Sequence, residues 1–468
     1  MNNILASEIT WEQIWQKVGE DLAYWLTTSV AIGVYIFIFA GIIAILCLIT
    51  ILNNFRRPHY QKVALTEGDV TGAEALGVGN KNVPEYAKTN ENDASQQQDA
   101  LPQENEQEHP PRFRALSLID SGHPSFEARG TDSGLTLASA CASFREYAAG
   151  TRSLYYSEKT VRAWVSSLCC SRILLLQGMS GTGKTSLPDC FGDWLGRPAD
   201  VVPVQPTWKE RSDLLGYYNE FTGSFSETPL LEALYRAGGT DSVSVIVLDE
   251  ANIARVEYYF AEFLSLLELP DPNARKLPIA SSGMPGDPKR VRDGQLLLPQ
   301  NAWFVMTANN DDSTFAISDK VYDRAMVLDL DSRAEPFASL PGHRARLSYA
   351  GLARLSREAC ERYSLTRRDR RRIAELDRFL RRELHVSFGN RIMRQVSSFV
   401  PCYVACGGSE SEALDLILAR KVMRKLSSVS PVYVRSKSGE LLGLLGNLFG
   451  EGGAPECEAA IRRIADSK

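Results

Sequence analysis

A glycine-rich stretch constrains the fold most. Gly178-Met-Ser-Gly-Thr-Gly-Lys-Thr185 directly follows the apolar run Ile173-Leu-Leu-Leu176 and fits the pattern G-x-x-x-x-G-K-[ST], in which a buried strand leads into a phosphate-binding loop. In such a loop, glycines let backbone N–H groups point at phosphate oxygens, the lysine reaches the terminal phosphates and the threonine hydroxyl ligates Mg²⁺. The predicted nucleotide-binding residues are Gly178, Gly181, Gly183, Lys184, Thr185 and Ser186.

Three more apolar runs predict buried strands, at residues 201–204, 243–248 and 302–307. Stretches with helical periodicity separate these runs. Strands that alternate with helices favour an α/β fold with a mostly parallel sheet, whose ligands bind at the carboxyl ends of the strands. The 468 residues, of which 44% are hydrophobic, suffice for a sizeable core.

Acidic and amide side chains follow two of the predicted strands. Asp249 and Glu250 end the run at residues 243–248, where Asp249 would hold Mg²⁺ through its water shell and Glu250 would polarise the attacking water. Asn309 ends the next run and could orient that water from the far side of the γ-phosphate. The alternatives are an acidic helix start for the first pair and an ordinary turn for the asparagine.

These residues together resemble the AAA+ ring ATPases, in particular the branch with the MoxR-type ATPases and the McrB-type restriction NTPases. The resemblance covers residues 156–424 and depends on the segment from Gln205 to Tyr217, on Leu248-Asp-Glu-Ala-Asn252 and on residues 305–324. It implies an AAA+ P-loop core, a parallel sheet flanked by helices, followed by a C-terminal α-helical lid. It also implies hydrolysis of Mg-ATP, or of GTP as in the McrB-type relatives, by a homo-oligomeric ring that is usually a hexamer.

The family resemblance also assigns roles to individual residues. It makes Asn309 the sensor-1 residue and Arg324, in Tyr322-Asp-Arg324, the arginine finger that reaches a neighbouring subunit's γ-phosphate. Arg391 would be the sensor-2 arginine offered to the nucleotide, with Arg394 as second choice. Residues 269–299 resemble an inserted hairpin that such rings project toward the central pore, and a long surface loop is the alternative.

An uncharged apolar run of about 25 residues, at positions 28–52, is long enough to cross a hydrocarbon layer about 30 Å thick as a helix. A signal peptide is the alternative, but the run is too long and lies too far from the start. Arg56 and Arg57 follow the run, and the positive-inside rule puts that side in the cytoplasm. We therefore expect a single-pass protein of the inner or plasma membrane with its amino terminus outside and its ATPase body in the cytoplasm.

Composition then divides the chain into predicted segments. They are a short extracytoplasmic segment at 1–27, a transmembrane helix at 28–52, a disordered acidic tether at 53–130, the AAA+ α/β core at 131–338, the helical lid at 339–430 and a C-terminal tail at 431–468. The nine cysteines contain no C-x-x-C pair, so neither a zinc site nor a disulfide framework is suggested. A net charge of −5 gives no chain-wide basic footprint for nucleic acid.

Taken together, the sequence predicts a membrane-anchored AAA+ ATPase that couples Mg-ATP hydrolysis in a ring to remodelling of a protein partner. The first alternative is an ATP- or GTP-driven DNA-translocating or antiphage, restriction-type motor that powers a partner nuclease. The basic run at residues 367–372 could then contact phosphates, although a solvated helix face explains it as well. The second alternative is a nucleotide-bound scaffold with negligible turnover.

Overall fold

A computed structural model describes residues 111–122, 130–309, 314–331 and 334–466. All of them belong to one unit of the chain, Gln103–Lys468. The predicted extracytoplasmic segment at 1–27 and the predicted transmembrane helix at 28–52 lie outside the described residues, as does most of the predicted tether.

The described strands form one parallel sheet and two small antiparallel ones. In chain order they are β1 (Ile173–Gly178), β2 (Asp200–Pro203), β3 (Gly216–Asn219), β4 (Ser224–Glu227), β5 (Ser244–Asp249), β6 (Lys276–Pro278), β7 (Val291–Arg292), β8 (Gln295–Leu297), β9 (Ala302–Asn309) and β10 (Met326–Asp329). The central parallel sheet has the order β10-β1-β9-β5-β2. The expected α/β class is therefore confirmed, and the four predicted strands are four of the five in this sheet.

The central strands are apolar on both faces because helices cover both sides of the sheet. Along β1, Leu174 and Leu176 are buried in one hydrophobic core, whereas Ile173 and Leu175 are buried in the other. Strand β10, the fifth strand of the sheet, was not among the predicted strands.

The described helices surround the sheet and continue beyond it. They are α1 (Arg114–Ser121), α2 (Leu137–Arg152), α3 (Glu158–Cys170), α4 (Ser186–Trp194), α5 (Arg211–Leu215), α6 (Pro229–Ala237), α7 (Val256–Tyr259), α8 (Ala261–Leu266), α9 (Asp319–Tyr322), α10 (Tyr349–Arg362), α11 (Arg367–Leu384), α12 (Asn390–Ala405), α13 (Glu410–Lys421), α14 (Pro431–Phe449) and α15 (Pro455–Asp466). Short 3₁₀ turns lie at Ala251–Ile253, Pro272–Ala274 and Met423–Ser428.

Side-chain caps fix the starts of two of these helices. The Ser157 hydroxyl accepts a hydrogen bond from the backbone N–H of Thr160 at the start of α3. The Thr366 hydroxyl accepts one from Asp369 at the start of α11. Such caps satisfy N–H groups that the helix itself cannot pair.

Helices α10 to α15, residues 349–466, form what we call the helical region. Its long helix α12 packs against α3, α10 and α13, and α15 packs against α13 and α14. The region thereby shares a hydrophobic core with one face of the sheet.

Two segments outside the predicted core and lid contain helices. Within the predicted tether, residues 111–122 include α1, where Leu116 is fully buried and its backbone N–H donates to the Glu227 carboxylate. The predicted C-terminal tail contains α14 and α15, with Leu441 and Ile461 buried. Glycines give the α14 sequence a low helix propensity, so tertiary packing rather than local preference forms this helix.

The predicted localisation needs a correction. Among the described residues, we find no helix that combines the length and the apolar character needed to cross a membrane. On that finding the prediction of a single-pass inner or plasma membrane protein was wrong, and it is not carried further. A span needs about 20 consecutive apolar residues, whereas the 18 residues of α11 are rich in arginine.

Candidate functional site

A cavity of about 760 Å³ lies where β1 and its neighbouring strands end. Its lining includes Ser180 to Ser186 of the glycine-rich loop together with Asp249, Glu250, Thr307 and Asn309. The parallel register explains this meeting, because β9 lies between β1 and β5 and all three carboxyl ends point the same way. The structure thus brings together residues that are up to 129 positions apart in the chain (309 − 180).

The loop requires glycine at several positions. Gly181 and Gly183 have φ values of 78° and 89°, in the left-handed region that disfavours side chains. Gly178 has φ 145°, and a Cβ there would lie 2.6 Å from the Leu330 carbonyl oxygen. Backbone geometry and close packing therefore both select glycine, as expected for a loop that presents its N–H groups to phosphate.

Lys184 is buried beneath this loop. Its ammonium group donates to the carbonyl oxygens of Gly178 at 3.0 Å and of Met179 at 2.7 Å. A positive charge is therefore held at the loop where phosphate oxygens would bind.

Three oxygen-bearing side chains converge on one point of the cavity. Asp249 Oδ1 accepts hydrogen bonds from the hydroxyl groups of Thr185 and Thr307, each at 2.7 Å. Mg²⁺ prefers oxygen ligands and usually retains several waters, so a hydroxyl and one carboxylate are a donor set that suits it beside nucleotide phosphates. The residues present therefore fit the implied metal. Thr307 was not among the predicted site residues, although it occupies the first position of the Thr-x-Asn pattern that the family resemblance used.

Glu250 stands in an unusual backbone conformation beside this point. Its φ and ψ of 52° and 45° place a non-glycine residue in the left-handed region, which costs about 1–3 kcal/mol. The backbone N–H of Glu250 donates to the Thr307 hydroxyl at 2.8 Å, and its side chain is exposed to the cavity. The strained backbone thus presents a carboxylate to the space where a nucleotide would bind.

Asn309 is held through Asn252. The buried Asn252 amide donates to the Asn309 carbonyl oxygen at 2.8 Å and to the Thr314 hydroxyl at 2.9 Å, and it accepts from the Asn309 backbone N–H at 3.3 Å. Asn252 is the final residue of the Asp-Glu-x-Asn pattern at residues 249–252. Its hydrogen bonds connect the end of β9 to the turn after β5. Sequence reasoning had given it no site role.

Tyr156 is a further cavity residue that the sequence did not single out. Its hydroxyl is buried and has no hydrogen-bond partner among the described residues, and burial raises the pKa of Tyr156 well above its usual range. The side chain therefore remains a neutral donor at one wall of the cavity.

The two predicted arginines are not in this cavity. Arg324 lies two residues before Met326, which pairs with Leu174 near the amino end of β1. Because a strand rises 3.2–3.4 Å per residue, the six residues of β1 separate Arg324 from its own phosphate loop by about 20 Å. Arg391 also lies away from the phosphate cavity, beside Arg324.

A second cavity, of about 740 Å³, contains these arginines. Its lining includes Arg172, Arg275, Arg324, Arg357, Arg391, Arg394 and Glu268. The Glu268 carboxylate pairs with Arg324 Nη2 at 3.1 Å and with Arg391 Nη2 at 2.6 Å. This cavity is therefore a cationic surface at the opposite edge of the sheet from the phosphate loop.

Comparison with known families matches residues 173–325 to the AAA domain of the dynein-related subfamily. The match begins at β1 and ends one residue after Arg324, so it includes the phosphate loop, Asp249, Glu250, Asn309 and Arg324. A comparison with curated proteins gives no match.

Among solved structures, the chain is similar to a candidate ATPase from Cytophaga hutchinsonii, with 13% identity, a TM-score of 0.40 and coverage of 60% of this chain and 84% of that one. It is also similar to a full-length MCM homolog from Methanopyrus kandleri, with 13% identity, a TM-score of 0.34 and coverage of 61% and 60%. With TM-scores below 0.5, neither similarity supports an argument about this chain.

Proposed function

We propose, from the AAA domain at residues 173–325, that this chain is a ring-forming AAA+ ATPase that couples Mg-ATP hydrolysis to the remodelling of a protein partner. Hydrolysis is supported by the cavity at the ends of β1, β5 and β9, where a phosphate loop, a metal-type donor set and the exposed Glu250 carboxylate converge. The scaffold alternative would not require the strained Glu250.

In the proposed reaction, separate residues of the chain bind the phosphates, hold the metal ion and activate the attacking water. The backbone N–H groups of the loop and Lys184 bind the phosphates, and Thr185 and Asp249 would hold Mg²⁺, which supplies charge neutralisation at the phosphate oxygens. Glu250 accepts the proton of the attacking water, and Asn309 orients that water.

The ring is supported by one observation above all: Arg324 lies about 20 Å from its own phosphate loop, at the other edge of the sheet. An arginine that stabilises charge on the γ-phosphate must approach it directly. As an arginine finger, Arg324 would therefore serve the nucleotide of another subunit. A heterologous contact of this kind forms a ring when the rotation between successive subunits closes.

For Arg391, predicted as the sensor-2 arginine, we propose a role at the neighbouring subunit's nucleotide. A sensor-2 arginine that served its own nucleotide would line the phosphate cavity, but Arg391 shares Glu268 with Arg324 in the second cavity. We propose that both arginines face the same neighbouring nucleotide, with Glu268 holding the two guanidinium groups side by side.

Lys184→Ala is the direct test of nucleotide binding. Removal of a charge-assisted contact worth about 1.5–3 kcal/mol should weaken ATP binding by roughly 10- to 100-fold. Equilibrium titration with a fluorescent ATP analogue measures this change, and GTP competition in the same titration identifies the preferred base. A variant that binds ATP as tightly as the parent would show that the nucleotide occupies another place.

The partner is proposed to be a polypeptide because of the β3–β4 hairpin. Its tip residue Phe221 is fully exposed, and Tyr217 and Tyr218 are also exposed. Residues 216–227 include Glu220 and Glu227 but no lysine or arginine, so the hairpin offers no cation to a phosphate backbone. Exposed aromatic side chains without basic neighbours suit apolar segments of an unfolded protein.

Phe221→Ser should leave basal ATP turnover unchanged and should abolish its stimulation by an unfolded protein such as reduced, alkylated lactalbumin. Val432→Ser is the matched control, because Val432 is exposed on α14, away from the hairpin sequence, and its loss should leave the stimulation intact. Phosphate release with and without the added protein measures both effects. Stimulation by single- or double-stranded DNA instead would favour the DNA-translocating alternative.

A further inference from the structure

The segment that carries Arg324 is attached to the helical region by a buried lysine. Lys421, the last residue of α13, is buried, and its ammonium group donates to the carbonyl oxygens of Tyr322 and, at 2.7 Å, of Ala325. Lysine is almost never buried without a strong partner. Here its partners are two main-chain oxygens that lie on either side of Arg324.

Gln395 of α12 completes the attachment. Its side-chain amide donates to the carbonyl oxygens of Asp323 at 3.3 Å and of Arg324 at 3.2 Å. The Ser171 hydroxyl, just before β1, donates to the same Arg324 oxygen at 3.0 Å. All four carbonyl groups of residues 322–325 therefore accept a hydrogen bond from a side chain outside the segment.

Tyr322 is the last residue of the short helix α9, and residues 323–325 connect it to β10. The last carbonyl groups of a helix have no partner within it, and positive charge at a helix carboxyl end is favourable. Within the described residues, the donors for three of the four carbonyl groups come solely from α12 and α13. The position of the Arg324 backbone therefore depends on the helical region.

Lys421 can donate hydrogen bonds to these carbonyl groups whether its side chain is charged or neutral. Burial lowers the pKa of Lys421 to about 7, while Asp323 opposes this shift and the positive charges of Lys425, Arg424 and Arg391 add to it. A neutral amine still has two N–H donors for two carbonyl oxygens.

The Arg324 side chain is oriented by separate contacts. Its Nη1 donates to the Lys320 carbonyl oxygen at 2.9 Å and its Nη2 pairs with Glu268 at 3.1 Å, whereas its buried Nε has no hydrogen-bond partner among the described residues. The guanidinium group thus retains donor capacity, while the backbone beneath it is fixed by α12 and α13.

We infer that Lys421 and Gln395 are positioning residues for the arginine finger: they fix the Arg324 backbone to the helical region so that its guanidinium group reaches the neighbouring subunit's nucleotide. This inference rests on the proposed trans role of Arg324. It assigns to the helical region an effect on the adjacent subunit's hydrolysis, in addition to any effect on its own.

Lys421→Met tests the inference, because methionine fills the buried space but donates no hydrogen bond. A finger displaced by about 1 Å should lower kcat by roughly 10- to 100-fold and leave the KM for ATP unchanged. Lys421→Arg should recover part of the loss. Lys425→Met is the matched control: Lys425 pairs with the Asp323 carboxylate at 2.9 Å and has no hydrogen bond to these carbonyl groups, so its turnover should stay near the parent's.

Two further measurements separate positioning from a general structural effect. Lys421→Met should not lower turnover further when added to Arg324→Ala, because both changes remove the same contribution. Lys421→Met subunits mixed with Lys184→Ala subunits should regain turnover. At some interfaces, the intact phosphate loop of a Lys421→Met subunit then meets the correctly positioned Arg324 of a Lys184→Ala subunit. Gln395→Met should show the same pattern if Lys421→Met fails to assemble.

The outcomes distinguish the inference from the function on which it rests. Full turnover by Arg324→Ala would refute the arginine finger itself, whatever Lys421 does. An inactive Arg324→Ala with fully active, assembled Lys421→Met and Gln395→Met variants would overturn the positioning role alone. A loss in Lys421→Met that adds to the loss in Arg324→Ala would also overturn it.

Discussion

Glu250→Gln is expected to bind ATP as tightly as the parent chain and to hydrolyse it about 10² to 10⁴ times more slowly, the usual contribution of a general base. Glutamine has nearly the same shape as glutamate but cannot accept the proton of the attacking water at neutral pH. The KM should therefore change little while kcat falls, which is the signature of an interaction made in the transition state.

The Glu250→Gln substitution should leave the backbone conformation of residue 250 unchanged. The Glu250 backbone is held in its left-handed conformation by its N–H bond to Thr307, and that bond does not involve the side chain. Glu262→Gln is the matched control, because Glu262 lies in α8, pairs with Arg211 at 3.3 Å and does not line the phosphate cavity. Phosphate release and equilibrium nucleotide binding measure the two effects. Turnover within tenfold of the parent would remove Glu250 from the proposed role.

Local sequence patterns predicted the parts of the site that local geometry determines. The phosphate loop follows β1 directly, and the Asp249-Glu250 pair and Asn309 each end a strand, so strand prediction alone placed them at one edge of the sheet. Thr307 was missed because its importance lies in two hydrogen bonds, with Asp249 and with the Glu250 backbone, that only the pairing of β5 and β9 creates.

Features that depend on packing between distant segments were not predictable in this way. The pairing of Arg391 with Arg324 through Glu268 joins residues from α12, from the turn after α9 and from the loop after α8. No periodicity or motif contains this information, and the family resemblance that named Arg391 a sensor-2 arginine did not pair it with Arg324. The same limit applies to Lys421, whose sequence neighbours Arg420 and Arg424 give no sign that it alone is buried.

Arg324→Ala is expected to bind ATP normally and to lose turnover by a factor of about 10³ to 10⁵, the usual worth of an arginine finger. The reason is geometric: the guanidinium group lies at the opposite edge of the sheet from its own phosphate loop, so its loss harms the neighbouring site. Arg354→Ala, which removes an exposed arginine paired with Glu358 at 2.8 Å in α10, is the matched control and should retain full turnover.

Mixing two inactive variants decides whether the arginine acts between subunits. An Arg324→Ala subunit keeps an intact phosphate cavity, and a Lys184→Ala subunit keeps an intact Arg324. In a randomly mixed ring made from equal amounts, about a quarter of the interfaces should pair an intact cavity with an intact arginine. ATP turnover should therefore return to a measurable fraction of the parent's, although each variant alone is inactive. A mixture that assembles and stays inactive would contradict the shared site, because the opposed positions of the phosphate loop and Arg324 leave no other way for both to act on one nucleotide.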